Sequence, residues 1–590
     1  MHKRKLSEYI LIGTSFSENK IYVNVIGEYA MKKQSFLFGA VILAASAAIT
    51  KIIGALFRIP LADMLGGTGM GYFSCAYGIF LPVYAVTATG LPAAAARVTA
   101  GDMAVRGGAS LKRIRFTAMA MFGAAGLVGM LVILLGALPF CRYAIDNMPA
   151  LPAVLMTAPA VLFGCPLAVL RGYYEGLRNM YPTALSQVAE AAVKLASGLG
   201  GAYAVLDLYA KDPAAFAAYV SADTANPQAL GEIALSYAAA AACGGMSLSV
   251  LAGLLFMVIY DVCAGRKSVH AEGQAAPYRE IIRSLASVAV PGAFCALAAN
   301  ITSVIDLATI MNSLENVAES ASMYFSEYDM SCEDIPNFIY GSYAGLAVTV
   351  FNLIPSVTNM FGRGILPQAA EAYSSGDRAR LARSAEEVIF LAAAVAVPCG
   401  FGISALAEPI LKLLFSGNTA EINAAAAPLA AMGPGVIFLC ISSAVFPLFQ
   451  AADRSDIPLK LTLLGAAVKA AGNILLVSVP WLNVTGAAIS TDLCYLAVCI
   501  GEAVLLERTT GADLKCIGIT LAKLFLCGFL CAVTAETVYG YMQIRSGNSI
   551  SVIISVAAAA FVYIISTYFI GIINKSTLKM LISQKNSKNT

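Results

Sequence analysis

Among the ionisable residues of this chain, Lys51, Arg58, Glu190, Lys194, Asp306, Lys469 and Asp492 stand out because each falls inside a long apolar run. A charge within a bilayer span costs about 2.5–3.5 kcal/mol on insertion scales, so such residues face a wet cavity, a ligand or one another. Lys51 and Arg58 are seven apart, which puts them on one helical face about two turns from each other. Glu190 and Lys194 are four apart in the acid-before-base order that favours an intrahelical pair. Asp306, Lys469 and Asp492 read as single charges. Basic side chains at such depth suit a phosphate-type anion, to which they make charge-assisted hydrogen bonds. Carboxylates there suit charge balance, or uptake of a proton or a sodium ion.

Apolar residues make up 59% of the 590 and charged ones only 12%, with a mean hydropathy of +0.76. A soluble protein of this length has no interior large enough to hide that much apolar surface, so the composition reads as a polytopic membrane protein. Net charge is +3 and no block of basic residues occurs, which leaves no nucleic-acid partner. The two histidines, His2 and His270, lie outside every apolar run, and no CxxC pair is present. A histidine-ligated metal and a histidine base in the membrane are thereby excluded, and no metal site is expected. Most of the 14 cysteines stand singly in apolar runs and read as small packing residues. No phosphate-binding loop of the GxxxxGK[ST] form and no nucleophile elbow occur, and GTGMG at Gly67–Gly71 does not follow a strand. The chain therefore reads as a non-enzyme with no catalytic residues and no cofactor.

A membrane-spanning helix needs about 20 apolar residues. Fourteen segments qualify, at about 36–60, 70–95, 115–140, 149–171, 183–206, 234–260, 282–311, 341–363, 387–415, 425–450, 458–480, 482–507, 515–540 and 548–573. They lack strand-like alternation, so the expected fold is all-α and not a barrel. Nineteen Lys and Arg residues lie in the even-to-odd connections, among them Arg97, Arg106, Arg171, Arg178 and Arg508, against Arg142, Lys211 and Arg545 in the others. Basic residues near span ends stay cytoplasmic, so both termini are expected inside. The 312–340 connection, with six acidic and no basic residues, would then be outside. Residues 1–30 are mixed in polarity and too discontinuous to span, and Met31-Lys32-Lys33 opens the span pattern. Met31 reads as the natural start, with 1–30 as an upstream extension or a disordered tail.

LPAAAARVTAGD, from Leu91 to Asp102, returns as LPQAAEAYSSGD, from Leu366 to Asp377, and AITKIIG (48–54) lines up with NITSVID (300–306). Each longer copy ends an even-numbered segment at the basic side. The pattern reads as a parallel six-helix repeat, the kind that builds transporters from two bundles rocking about a midplane site. The expected organisation is an N-lobe over 31–280, a C-lobe over 281–510, two further helices within 511–575 and a cytoplasmic tail over 576–590. Pro92 and Pro367 then become candidate gate bends, with Gly101-Asp102 and Gly376-Asp377 as the turns that follow.

KIIGALFRIPLADMLGGTGMGYFSCAYGIFLPVYAVTATGLPAAAARV, from Lys51, and RGYYEGLRNMYPTALSQVAEAAVKL, from Arg171 to Leu195, resemble the stage V sporulation protein B group. That group belongs to the polysaccharide-transporter branch of the multidrug/oligosaccharidyl-lipid/polysaccharide (MOP) exporter superfamily, related to lipid II flippases. The resemblance covers about 31–573. It implies a MATE/MurJ-like flippase for an undecaprenyl-pyrophosphate-linked oligosaccharide or peptidoglycan precursor in the bacterial cell membrane. Unlike lipid II flippases of the better-known branch, segment 2 carries no arginine before Arg97.

On that resemblance Lys51, Arg58, Lys194 and Glu190 line a substrate site for the pyrophosphate. Asp306, Asp492 and Lys469 are the candidates for coupling to Na+, H+ or the membrane potential, and Arg171 and Arg178, with Pro92 and Pro367, form the cytoplasmic mouth and gate. The partners implied are the lipid-linked glycan, membrane lipids and cell-wall synthesis enzymes, with the chain acting as a monomer. Structural readings stay open beside these: an intrahelical Glu190–Lys194 pair, Arg58 snorkelling to the interface, and arginines at 171 and 178 that only set topology. Two other functions also stay open, a cation-coupled multidrug antiporter of the same superfamily and a non-transporting scaffold in cell-wall or spore-cortex synthesis.

Overall fold

The computed structural model describes residues 36–220, 226–264, 275–328, 330–415, 419–452, 454 and 456–572, and the readings of 1–30 and of the 576–590 tail lie outside them. Among the described residues the regular structure is entirely helical. We label the principal helices α1 (Phe36–Tyr84), α2 (Leu91–Val105), α3 (Leu111–Pro139), α4 (Leu151–Gly176), α5 (Tyr181–Lys211), α6 (Pro227–Ala264), α7 (Tyr278–Ser320), α8 (Ile335–Ser342) and α9 (Leu353–Ser374). They continue as α10 (Arg378–Ala405), α11 (Ala407–Leu414), α12 (Thr419–Ala431), α13 (Gly433–Ala451), α14 (Asp456–Val477), α15 (Val484–Thr510), α16 (Leu514–Gln543) and α17 (Asn548–Phe569).

Twelve stretches among the described residues are long and apolar enough to cross a membrane. The first, Ala45–Val105, takes in both of the first two expected segments, and α7, the expected seventh, is not one of the twelve. α1 alone has 49 residues. At 1.5 Å per residue that is about 73 Å, more than twice the hydrocarbon thickness. Gly66 resolves the excess: its φ of 59° and ψ of −169° break the helix into two limbs, a geometry that side-chain-bearing residues rarely adopt. Expected boundaries shift elsewhere for local reasons. The ninth segment was placed at 387–415, but α10 runs from 378 to 405 and the remainder is a separate amphipathic helix, α11, with an exposed Glu408–Lys412 pair. The tenth is broken between α12 and α13, where Pro434 starts the second helix.

Two packing groups surround the middle of the chain. α1, α4, α5 and α6 pack on one another, and α9, α10, α13, α14 and α15 do the same. α7 touches both sets, with α14 on one flank and α1 and α2 on the other, while α16 and α17 pack on each other and on α10. One end of the bundle gathers Arg97, Arg106, Arg113 and Arg178, and we call it the basic end; Gly66, Asp334 and Glu421 lie at the opposite, acidic end.

The repeated phrase keeps its capping chemistry but not its turn. Gly376, with φ of 71°, makes the turn after α9, and the Asp377 carboxylate accepts from Arg380 N–H at 3.0 Å to cap α10. In the first copy Gly101 and Asp102 stay inside α2, contrary to expectation, and the turn falls at Gly107 and Gly108, both with positive φ. Asp102 still caps the following helix, since its carboxylate accepts from Ser110 N–H at 2.9 Å. Because Asp102 is only 5% exposed, Asp102→Ala leaves a buried donor unpaired and should cost about 1–3 kcal/mol, read as a lower melting temperature of the purified protein. Asp377→Ala, at a solvent-facing cap, should cost about 1 kcal/mol. The prolines differ too: Pro92 occupies the first turn of α2 just after a π-helical turn at Ala85–Thr89, whereas Pro367 lies inside the run of α9.

Candidate functional site

A cavity of about 310 Å³ opens between α1, α4 and α5, lined by Thr50, Ile53, Gly54 and Phe57 on α1, Arg171 on α4, and Gln187, Glu190, Ala191 and Lys194 on α5. The α5 residues line it because 187, 190, 191 and 194 recur at helical spacing on one face. Lys194 and Glu190 do not pair, as their spacing allowed. Lys194 donates to the Tyr77 hydroxyl at 2.8 Å, and its ammonium sits 5.0 Å from the Phe57 ring centre and 5.4 Å from that of Tyr77. Glu190 instead accepts from Arg171 at 2.7 Å, while the same guanidinium donates to Ser186 at 2.9 Å. A guanidinium offers several donors, so one nitrogen of Arg171 holds Glu190 while another is fixed by Ser186. Arg171 therefore neutralises Glu190 and leaves Lys194 without a carboxylate among the described residues.

Arg58 points into the protein, half-buried, with Tyr77 of the second α1 limb and Tyr340 of α8 within electrostatic reach. Snorkelling to a lipid interface is not its arrangement. Among the described residues it makes no ion pair, so Arg58 and Lys194 flank Tyr77 as two cations whose neighbours are aromatic rings. Lys51, about 10 Å along the same helix face, donates to Ser356 of α9 at 2.8 Å and so reaches from the first packing group to the second.

Asp306 and Lys469, read as single charges, form one pair at 2.8 Å between α7 and α14, each side chain 18% exposed. Asn473, one turn beyond Lys469, donates to the other Asp306 oxygen at 2.7 Å and to Thr309 at 3.0 Å. The sequence hid this because the partners lie on helices far apart in the chain. Removing one member strands the other in low dielectric. Asp306→Asn and Lys469→Met should each cost about 3–5 kcal/mol in thermal or denaturant unfolding, and the double variant should recover most of that. Asp492 on α15 stands against α13, where a side chain at Gly435 would run into its carboxylate, and one of its oxygens is buried without a hydrogen-bond partner.

At the acidic end α8 and α12 pack against the Gly66 break of α1. Gly67 N–H donates to the Glu421 carboxylate of α12 at 3.1 Å, Asn337 of α8 donates to the Thr68 carbonyl at 3.0 Å, and Asn147 donates to Asn337 at 2.8 Å. α8 approaches so closely that a Cβ on Gly341 would strike the Gly67 carbonyl oxygen and the Gly71 backbone. At the basic end the start of α7 docks on the α2–α3 turn: Arg106 pairs with Glu280 at 2.8 Å, Ala276 N–H donates to Ser110, and Arg113 covers the Tyr278 ring. Arg178 is exposed and closes α4 in the left-handed region, with φ of 60°.

Tyr77, Asn147, Asn337 and Glu421 were not singled out by sequence.

The family model described as "Lipid II flippase MurJ" matches residues 229–557, and that described as "Polysaccharide biosynthesis protein" matches 36–225. The chain is 23% identical over 564 residues to stage V sporulation protein B of Bacillus subtilis (strain 168), covering 93% of this chain and 98% of the relative. It is 21% identical over 560 residues to the lipid II flippase MurJ of the same organism, covering 91% and 96%. Among solved structures, a lipid II flippase MurJ in an inward closed conformation aligns with a TM-score of 0.56 at 12% identity, over 90% of this chain and 98% of that one. An inward-facing multidrug resistance MATE transporter aligns at 0.54 and 15%, over 79% and 98%. The folds are therefore alike.

Proposed function

This chain belongs to the lipid II flippase MurJ family, within the MOP exporter superfamily of membrane transporters, and from that premise we propose that it moves an undecaprenyl-pyrophosphate-linked glycan precursor, such as lipid II, between leaflets by alternating access. The observation that carries the proposal is the pair of cations around Tyr77. Lys194 and Arg58 sit at a half-buried site with no carboxylate paired to them among the described residues, and a diphosphate supplies what they lack. Lys51, bonded across the groove to Ser356, would meet the headgroup first and release that bond as the phosphate arrives.

In this reading the chain has fourteen crossings, with Ala45–Val105 counted as two and α7 as one, grouped as lobes 31–280 and 281–510 with α16 and α17 added. The basic end is cytoplasmic and both termini lie there. The acidic end is shut, so the cavity would load from the inside. A multidrug antiporter would want a free carboxylate for its cationic substrate, and the carboxylate lining this cavity, Glu190, is already held by Arg171.

The test is a vesicle assay with purified full-length protein and defined fluorescent lipid-linked sugars. Wild type should flip a diphosphate-linked substrate and leave a monophosphate analogue largely behind, and Lys51→Ala should retain no more than about a tenth of the rate, the loss of one charge-assisted bond of about 1.5–3 kcal/mol. Equal flipping of both lipids, or full activity of Lys51→Ala and Lys51→Glu, would sink the proposal.

A further inference from the structure

Within the second packing group, Glu502 of α15 is 2% exposed, far from the cavity at Lys194. One of its oxygens, Oε2, lies 2.9 Å from Ser442 Oγ of α13, and the other is buried with no partner. Ser442 Oγ lies 3.2 Å from Cys499 Sγ, and Cys499 Sγ lies 3.3 Å from the Phe438 carbonyl oxygen. These three contacts form one chain that fastens α15 to α13, and each needs one hydrogen. Serine brings one and the thiol brings one. Phe438 can only accept, so a chain with a hydrogen in every contact takes the third from Glu502: the acid O–H donates to Ser442, in place of the Ser442 donation to the carboxylate that an ionised Glu502 would receive, Ser442 donates to Cys499, and Cys499 to Phe438. With an ionised Glu502, one contact would bring lone pairs face to face, and an unpaired charge would stay buried, which costs several kcal/mol.

Among the described residues no cation pairs with it. α15 packs against α14, α13, α12, α10 and α7. Lys469 of α14 and Asp306 of α7 hold each other, Lys460 holds Asp456, and Glu421 of α12 is on Gly67. From α10, Arg380 pairs with Glu371 and Glu386 accepts from Asp513 N–H, while Arg378, Arg383 and Glu387 make no ion pair with Glu502. The group in contact from α15 itself is the Cys499 thiol.

We propose that Glu502 is a proton-binding site, a carboxylic acid kept neutral between α13 and α15 in this conformation. Its role as the coupling proton of transport rests on the flippase reading; its existence does not. Infrared spectra of the full-length protein in lipid vesicles test it without any substrate. The expected result is a protonated-carboxyl C=O band at neutral pH that is absent in Glu502→Gln, whose amide N–H supplies the third hydrogen and keeps the chain intact. A spectrum unchanged by that substitution would overturn the proposal. Should Glu502→Gln fail to insert, Ser442→Ala removes the acceptor of the acid proton, so it must shift the frequency of a carboxyl band; no shift overturns the proposal equally.

Discussion

Lys194→Glu and Arg58→Glu are expected to insert and fold yet flip lipid-linked substrate at no more than about one hundredth of the wild-type rate. On the proposed function each substitution removes a charge-assisted hydrogen bond to the pyrophosphate, worth about 1.5–3 kcal/mol, and sets a like charge against it. Folding should survive because neither cation holds a carboxylate in place: what Lys194 loses is its bond to Tyr77 and its seat over two rings, worth about 0.5–2 kcal/mol for the cation–π part. Two further variants separate charge from position. Tyr77→Phe keeps both cations but releases the hydroxyl that aims Lys194, and should reduce flipping by about tenfold, the worth of one hydrogen bond. Arg58→Lys keeps charge but loses the planar fork, and should fall between wild type and Arg58→Glu. Wild-type flipping by either glutamate variant would remove the substrate site from the two cations around Tyr77.

What could be read from the residues, and what could not, divides along distance in the chain. Apolar runs are local signals, and most of the described long helices overlap the segments they mark, with the first two fused into α1, the ninth shifted to 378–405 and the tenth broken between α12 and α13. Breaks inside runs depend on backbone torsion at single residues, and Gly66 looked no different from Gly67 or Gly69 until its φ was known. The ionisable residues themselves were visible because charge in an apolar run is costly at sight. Their partners were not. Spacing offered Lys194 for Glu190, whereas the fold supplied Arg171 from the neighbouring helix; Asp306 and Lys469 carried no mark that they would meet. Glu502 escaped notice although it lies in the twelfth expected run, because nothing in its neighbourhood of sequence shows that Ser442 will cap it. The repeated phrase was informative in a different way. It preserved an aspartate that caps the next helix in both copies, while the glycines that turn the chain moved from Gly376 to Gly107 and Gly108.

Gly341→Val should arrest the cycle by wedging the acidic end open. Closure there brings α8 against the start of the second α1 limb, Gly67–Gly71, until no atom fits between Gly341 and the Gly67 carbonyl. A branched side chain must displace backbone on both sides, and overpacking of a close seam costs about 1–3 kcal/mol. The polar contacts that oppose it are three hydrogen bonds, from Gly67 to Glu421, Asn337 to Thr68 and Asn147 to Asn337, each worth about 0.5–1.5 kcal/mol and each replaceable by water once the seam parts, beside the burial of Ile335, Phe338 and Ile339. The closed seam has no room for a Cβ at Gly341, so parting is the response expected, and a shift of about 1.4 kcal/mol moves the closed-to-open ratio tenfold. Cys75 reports it directly: the thiol is fully buried, with the Asn147 amide 3.8 Å away, so parting the seam exposes it. In a variant keeping Cys75 as its sole cysteine, a membrane-impermeant maleimide added from outside should label Gly341→Val at least tenfold faster than Gly341, and flipping should drop in parallel. Gly364→Ala in α9, where an added Cβ meets nothing within 4 Å, serves as the control and should change neither reading. Slow labelling together with normal flipping in Gly341→Val would mean that α8 and the start of the second α1 limb do not form the gate.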